Sequence, residues 1–189
     1  MHPAAIKRTS LFILILQILV PPAISQVPDD LLIVPGQRIG RVKLENSIDE
    51  IVQFFGAPSS VVGNPSAIEL GGSDALPAVL YYWRNVPLVT LIVATRDRVK
   101  VEYIWLSPEP VSRSYKTEQG ITVGATRGDL ERVYGQPTAR TVIPVGFPQA
   151  PALERWIYDR SGLFLVMDRD FVGEIGVFRP GEARNNWKF

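Results

Sequence analysis

The chain has 189 residues, of which 46% are hydrophobic and 21% are charged, a composition typical of a folded globular protein. Its formal net charge is +1, so it lacks the basic excess of a general nucleic-acid binder, and no nucleic-acid partner is predicted. It contains no cysteine, which excludes disulfides, thiolate nucleophiles and cysteine-held metal centres.

The N-terminal residues have the organisation of a secretory signal peptide. Lys7 and Arg8 precede an apolar run over residues 11–20, and small residues ending at Ser25 provide a cleavage site. The alternative is a membrane anchor, but a spanning helix needs about 20 apolar residues and this run is half as long. We therefore predict that residues 1–25 are a signal peptide, that the protein is exported to a periplasm or the extracellular space, and that no stable membrane span remains.

Removal of the signal peptide would also remove the only histidine, His2. A Ser-His-Asp triad, a Cys-His pair and a histidine-held metal are then impossible. No catalytic residue, cofactor or metal ligand is therefore predicted.

Two segments of the chain match each other when residues 41–60 are aligned with residues 120–139. Such internal similarity indicates a repeated structural unit. The matched pairs are Val42/Ile121, Leu44/Val123, Ser47/Thr126, Glu50/Asp129, Ile51/Leu130, Phe55/Tyr134, Gly56/Gly135 and Pro58/Pro137.

Each matched segment predicts one short helix bounded by its own residues. Ser47 and Thr126 can cap the helix start with a side-chain oxygen, and the acid three residues later completes a capping box. An apolar stripe at helical spacing follows in both copies. Gly56 and Gly135 are predicted to take a positive φ at the helix ends, and the proline two residues later prevents continuation.

Runs rich in β-branched and aromatic residues follow each helix and predict strands. These strands cover residues 79–83, 88–95 and 99–106 in the first half and residues 153–158, 163–168 and 172–178 in the second. Their connections are short, so neighbouring strands must pair antiparallel. Short leading strands are predicted over residues 38–44 and 120–123, and loops over residues 63–77 and 143–151.

The predicted class is α+β, with two tandem repeats that each pack a short helix on an antiparallel β-meander. The predicted organisation is a signal peptide (residues 1–25), a first repeat (26–110), a second repeat (111–180) and a tail (181–189).

The order Ser/Thr-x-x-acid, apolar stripe, Gly-x-Pro and aromatic-x-aromatic strand occurs twice within residues 36–180. In this it resembles the SmpA/OmlA (BamE-like) outer-membrane-assembly domains and the tandem-repeat β-lactamase inhibitor proteins. The resemblance implies helices on one face of an antiparallel sheet and activity by protein binding. The lipid-anchor cysteine of the assembly factors and the disulfides of the inhibitors are absent from this sequence.

The strand over residues 99–106 supplies the candidate partner-binding residues. Ile104 and Leu106 match apolar residues of the second copy and are predicted to face the helices. Tyr103 and Trp105 would then lie exposed on the opposite face, where aromatic side chains suit a protein interface. The alternatives are that the two repeats pack together there or that the tail covers these aromatics.

Four further aromatics recur at equivalent strand positions, which favours core packing over a surface that stacks sugars or bases. They are Tyr81, Trp83, Trp156 and Tyr158.

The predicted function is that of a non-enzymatic, exported protein-binding module of the cell envelope, with a role in envelope assembly or scaffolding and an unidentified protein partner. One alternative is a soluble inhibitor of a secreted enzyme. A second is a hydrolase that uses carboxylates such as Glu102, Glu174 or Asp168, which would need two acids facing one cleft.

Overall fold

A computed structural model describes residues 28–68, 76–84, 91–95, 99–108, 110–143 and 152–182. The predicted signal peptide, the tail beyond residue 182, the start of the strand predicted over 88–95 and parts of both predicted loops lie outside these residues. In the described part of the chain, no helix has the length and hydropathy needed to cross a membrane.

The described elements are two α-helices, two short 3-10 helices and twelve strands. The first half contains a 3-10 turn (Asp29–Leu31), β1 (Leu32–Val34), β2 (Arg38–Ile39), β3 (Val42–Lys43), α1 (Ile48–Phe55), β4 (Ser60–Ile68), β5 (Leu76–Trp83), β6 (Leu91–Thr95) and β7 (Tyr103–Leu106). The second half contains a 3-10 turn (Pro110–Ser114), β8 (Lys116–Thr117), α2 (Arg127–Tyr134), β9 (Ala139–Ile143), β10 (Leu153–Tyr158), β11 (Leu163–Asp168) and β12 (Phe171–Phe178). The α+β class is confirmed.

Eight of the strands form one antiparallel sheet in the order β4-β5-β6-β7-β12-β11-β10-β9. At its centre β7 pairs with β12, with Tyr103 opposite Phe178 and Leu106 opposite Ile175. The two halves of the chain therefore share a continuous sheet. The remaining short strands form a second sheet, β3-β2-β1-β8, in which β1 of the first half pairs in parallel with β8 of the second.

Both edge strands of the large sheet were missed by the sequence analysis. Residues 63–77 were predicted to be a loop, but β4 extends to Ile68 and β5 begins at Leu76. Strand β4 contains Pro65, which cannot donate a ladder hydrogen bond and is tolerated because an edge strand has one unpaired side. Strand β9, at the opposite edge, was also not predicted.

Three further strand predictions need correction. Residues 38–44 do not form one strand, because they fold into the antiparallel pair β2 and β3. No strand forms over residues 120–123, because a turn closes there with Thr117 N–H donating to Ile121 O (2.8 Å). Over residues 99–106, the strand begins only at Tyr103. The residues before it pair instead with the segment that precedes α1, where Ile48 N–H donates to Val99 O (3.1 Å).

The helices have the predicted boundaries. Ser47 Oγ accepts from Glu50 N–H (3.2 Å) and Ser47 N–H donates to the Glu50 carboxylate (2.7 Å), which completes a capping box. Thr126 and Asp129 form the same box at α2. Gly56 and Gly135 follow the helices with φ values of 76° and 72°, so the predicted positive φ is confirmed at both positions.

The main core lies between one face of the large sheet and a layer formed by the helices and the small sheet. Ile51 of α1 and Leu130 of α2 are fully buried there. Ile104 and Leu106 of β7 belong to the same cluster. The alternation of side chains along this strand predicted that Ile104 and Leu106 face the helices, and this prediction is confirmed.

Candidate functional site

Tyr103 and Trp105 lie on the face of the large sheet that points away from α1 and α2, as predicted, but their predicted exposure is wrong. Tyr103 is 1% and Trp105 is 6% exposed. Both belong to a second apolar cluster, here called the second-face cluster. It consists of Leu80, Tyr103, Trp105, Ile157, Phe164 and Phe178. Neither aromatic is accessible in this arrangement, and their role in partner binding stays a prediction.

The rings of the second-face cluster lie against one another across the β7–β12 seam. The ring centroids of Tyr103 and Phe178 are 6.3 Å apart, and those of Trp105 and Phe164 are 6.2 Å apart. Gly176 makes this packing possible, because a Cβ there would lie 2.6 Å from Trp105 Cβ and closer still to the ring of Phe164. The seam therefore needs a residue without a side chain.

A pair of opposite charges lies beside this cluster. Arg155 is buried and Glu174 is partly buried, and the strand registers place them in one row with Val166 between them. Burial lowers the pKa of Arg155 to about 10, although the negative charge of Glu174 acts in the opposite direction and raises it. Burial raises the pKa of Glu174, although the positive charge of Arg155 acts in the opposite direction and lowers it. Each charge thus offsets part of the desolvation cost of the other.

A groove of about 870 Å³ lies at the start of α2, where the segment before the helix meets the turn between β11 and β12. We call it the α2 groove. It is lined by Pro108, Arg113, residues 119–125, Asp129, Arg132, Asp168 and residues 171–173.

Backbone hydrogen bonds hold the two walls of the α2 groove together. Gly124 N–H donates to Val172 O (2.7 Å), and Val172 N–H donates back to Ala125 O (2.9 Å). Arg127 N–H donates to Asp170 O (2.8 Å). These bonds join the β11–β12 turn to the start of α2. They therefore fix the positions of the two backbone segments that carry most of the groove-lining side chains.

The groove carries charged side chains of both signs and one exposed aromatic. Phe171 is 54% exposed. Arg132 pairs with Asp129 at 2.7 Å. Hydrogen bonds from Thr126 lower the pKa of Asp129, and the charge of Arg132 lowers it further. Within the described ranges, Arg113 and Asp168 make no ion pair although both are exposed.

The acids considered for a hydrolase do not meet in this groove. Of the three, only Asp168 lines it. Glu174 lies on the second face beside Arg155, and Glu102 lies in the irregular segment before β7. The other carboxylate in the groove, Asp129, is held ionised by its capping role and is poorly suited to donate a proton. Across the described residues, no group of three or more His, Cys, Asp or Glu side chains is arranged to hold a metal ion.

The aromatic residues at the ends of β5 and β10 pack in the main core, as predicted. Trp83 donates from Nε1 to Gly56 O (2.9 Å), and Tyr158 donates from its hydroxyl to Gly135 O (3.1 Å). Each bond ties the end of a helix to the sheet. Trp156 is fully buried beneath two guanidinium groups, those of Arg127 and Arg140, at 4.8 Å and 4.1 Å from its ring.

Sequence reasoning missed the α2 groove. The residues that form it come from three separate parts of the chain, and no spacing in the sequence joins them. One signal was available: Phe171 is an aromatic residue that directly follows the Arg169-Asp170 turn, a position usually open to solvent.

Comparison with known proteins identifies distant structural similarity alone. No family model matches the chain, and no curated protein does. Solved structures that are similar to it include the following three. YjgB, a DUF4309 family protein from Bacillus subtilis, is 14% identical with a TM-score of 0.46, over 76% of this chain and 88% of that chain.

Two further similar structures are longer proteins. An extracellular protein containing an SCP domain from Bacillus anthracis is 9% identical with a TM-score of 0.46, over 76% of this chain and 46% of that chain. A cysteine-rich secretory protein from Staphylococcus aureus is 11% identical with a TM-score of 0.44, over 79% of this chain and 49% of that chain. This chain therefore spans about half the length of these two. None of the three is described as a member of the families that the sequence resembles.

Proposed function

We propose that this protein is an exported, non-enzymatic protein-binding module built from two tandem α+β repeats, as its SmpA/OmlA-like sequence pattern implies. Matched contacts in the two halves support the repeat. Each helix has a capping box at its start, and a buried aromatic bonds to the glycine carbonyl at its end. An isolated bridge joins each capping residue to a later segment, Ser47 to Lys100 and Thr126 to Phe171.

We assign the binding surface to the α2 groove rather than to the buried second face. One observation carries this choice: an exposed aromatic, Phe171, stands beside an arginine and an aspartate that have no ion-pair partner among the described residues. Aromatic and arginine side chains dominate the energetics of protein interfaces. A protein segment with an apolar side chain against Phe171 and an acid opposite Arg113 fits this surface.

Binding is favoured over hydrolysis by the state of the carboxylates. General acid catalysis needs a carboxyl group whose pKa is raised towards the working pH. In the groove the pKa of Asp129 is instead lowered by its bonds to Thr126. The residues after position 25 also contain no histidine that could replace it.

The test is affinity capture from the native envelope with three forms of the exported chain: wild type, Phe171→Ser and Val142→Ser. Val142 is 63% exposed and lies outside the groove, so it is a matched control for loss of a surface apolar side chain. Loss of an aromatic anchor of this kind costs about 2 kcal/mol or more of binding, so Phe171→Ser should lose the partner and Val142→Ser should retain it. Equal capture by both variants would contradict the assignment to the groove.

The same experiment separates the alternatives. If the captured partner is a secreted enzyme whose activity falls when the chain is added, the function is inhibition rather than scaffolding. A screen of glycosidase and esterase substrates tests the hydrolase alternative, and specific turnover that is abolished by Asp168→Ala would contradict a binding-only function.

A further inference from the structure

A further cavity, separate from the α2 groove, lies at the other end of α2. It has a volume of about 330 Å³ and lies between the end of the helix and the turn that joins β10 to β11. We call it the α2-end cavity. Its walls are Tyr134, Gln136, Thr138 and residues 158–161, none of which lines the α2 groove. Its volume is at the lower end of the range of about 300–1,000 Å³ for small-molecule sites, so it suits a single ring better than a chain segment.

Hydrogen bonds hold the walls of the α2-end cavity in place. Asp159 N–H donates to Thr138 Oγ1 (3.2 Å), which joins the turn to the segment after the helix. Tyr134 is anchored by a hydrogen bond from its hydroxyl to Gln119 Oε1 (3.2 Å). The ring centroids of Tyr134 and Tyr158 are 5.6 Å apart. The cavity is therefore built by contacts within the fold, and a ligand would not have to order its walls.

The equivalent positions at the end of α1 make the same scaffold contacts without the same polar groups. There Ser59 Oγ accepts from Arg84 N–H (3.1 Å), the contact that Thr138 and Asp159 make in the second half. Three cavity residues differ from their first-half equivalents by a gained polar group or a reversed charge: Tyr134/Phe55, Gln136/Ala57 and Asp159/Arg84. The contacts that join a helix end to the sheet therefore do not require these polar groups, which indicates a role for them in binding.

The polar groups of the cavity match a neutral ligand that carries several hydroxyls. Asp159 and Arg160 are adjacent and their formal charges cancel, so the walls favour neither an anion nor a cation. Gln136 Oε1 already accepts from Arg140, so its amide offers N–H groups to a ligand. A carboxylate only accepts hydrogen bonds and a guanidinium only donates them, whereas a hydroxyl does both. A pyranose ring presents neighbouring hydroxyls to such a set and an apolar C–H face to a ring such as that of Tyr134.

We propose that the α2-end cavity binds one pyranose unit of a saccharide, with Asp159, Arg160 and Gln136 on its hydroxyls and Tyr134 against its C–H face. This site goes beyond the protein-binding function proposed above and shares no lining residue with the α2 groove. Neither proposal depends on the other, and the test of the sugar site uses no protein partner.

An NMR titration of the isotope-labelled protein with D-glucose, D-galactose, D-mannose and N-acetyl-D-glucosamine tests the proposal. A ligand of so few atoms is expected to bind with a Kd of about 1 mM, so each sugar is added to about 50 mM. The backbone amide signals of residues 135–138 and 159–161 should move with at least one sugar, and those of residues 171–173 in the α2 groove should not. Movement with none of the four sugars, or movement confined to other residues, would overturn the proposal.

Two single variants identify the groups that hold the sugar. Arg160→Ala removes an exposed guanidinium, and loss of a hydrogen bond to a charged group should weaken binding by about 10- to 100-fold. Gln136→Ala introduces the residue of the equivalent position, Ala57, and should weaken binding by about 3- to 10-fold. Arg41→Ala is the matched control and should bind as the wild type does, because Arg41 is also an exposed arginine and does not line the cavity.

The remaining outcomes are also decisive. If Arg160→Ala does not fold, as judged by circular dichroism, the Gln136→Ala titration decides, since Gln136 is exposed and its equivalent in the first half is alanine. Undiminished binding by the folded variants would place the sugar elsewhere and overturn the proposal. The methyl glycoside of the sugar that binds identifies its source. Binding equal to that of the free sugar supports the end of a glycan as the ligand, and loss of binding supports a free sugar in the same cavity.

Discussion

At the scale of single residues, the two glycines that end the helices have a strict conformational requirement. Gly56 combines a φ of 76° with a ψ of −169°, and Gly135 combines 72° with −152°. This region of backbone space is populated almost entirely by glycine. In both cases the glycine carbonyl also accepts a hydrogen bond from a buried aromatic, Trp83 or Tyr158. The backbone conformation and the anchoring bond therefore depend on each other.

We predict that Gly56→Ala destabilises the protein by about 1–3 kcal/mol through backbone strain alone. No atom lies within 4 Å of the Cβ that the substitution would add, so a steric clash does not contribute. Urea unfolding monitored by circular dichroism measures the change.

Gly128→Ala is the matched control for this prediction. Gly128 lies within α2, has no positive φ, and an added Cβ meets only Thr126 Oγ1 at an ordinary 3.8 Å. It should stabilise the protein by about 0.4–1 kcal/mol. If both variants changed stability equally, conformation at Gly56 would not be the cause.

At the scale of elements, the capping box makes α1 sensitive to acid. Hydrogen bonds from Ser47 and Asn46 lower the pKa of Glu50 below its ordinary 4.5. A carboxylate with a lowered pKa in the folded state contributes stability above its unfolded pKa and loses it as pH falls through the folded pKa.

Glu50→Gln should therefore reduce the loss of stability between about pH 6 and about pH 3. Glutamine keeps an oxygen acceptor for Ser47 N–H but does not titrate. Asp49→Asn, which removes a carboxylate from the same helical turn but not from the capping box, should leave more of the acid dependence in place. Denaturant unfolding over this pH range measures both, and identical profiles for Glu50→Gln and the wild type would contradict the prediction.

The Arg155–Glu174 pair is expected to contribute little net stability while being costly to break. Glu174→Gln leaves the buried guanidinium of Arg155 without this opposite charge. We expect the free energy of unfolding to fall by up to about 3 kcal/mol. This is the lower end of the range for buried pairs, because Glu174 is only partly buried. The double variant Arg155→Met/Glu174→Met should lie within about 1 kcal/mol of the wild type. Urea unfolding of Arg155→Met, Glu174→Met and their double variant completes a double-mutant cycle and gives the coupling energy. A double variant as unstable as Glu174→Gln would show that the pair itself stabilises the fold.

At the scale of the whole molecule, the two halves are joined by the β7–β12 seam and by a common main core. Strand β1 also crosses to pair with β8 of the other half. Contacts of this extent couple the unfolding of the halves, so calorimetry should show a single transition.

Gly176→Ala should lower the temperature of that single transition, because the added methyl group overlaps Trp105 and Phe164 at the seam. Overpacking of this kind costs about 1–3 kcal/mol. Gly173→Ala on the same strand is the milder comparison and should lower the temperature less, since its added Cβ would lie 3.3 Å from Val166 O, a tight contact that a shift of a few tenths of an ångström relieves. Two separate transitions, of which Gly176→Ala moves only one, would show that the halves unfold independently.

Local chemistry made several parts of the fold predictable from the sequence. The limits of both helices were predicted correctly because they depend on local interactions. A capping box joins residues three apart at each helix start, and a glycine with positive φ ends each helix. The strands over residues 153–158 and 163–168 were correct because β-branched and aromatic runs there are bounded by a turn. Alternation along β7 also assigned Ile104 and Tyr103 to opposite faces.

Only the tertiary structure showed whether each face of the sheet is covered and where a groove opens. The alternation of side chains along a strand shows which of them share a face, but it does not show whether that face is covered. The face of Tyr103 and Trp105 was therefore predicted correctly, whereas their exposure to solvent was predicted wrongly. The α2 groove joins Arg113, Asp129 and Phe171 from three distant segments. Its existence depends on hydrogen bonds between the α2 start and the β11–β12 turn, and contacts so far apart in the chain leave no periodic trace in the sequence.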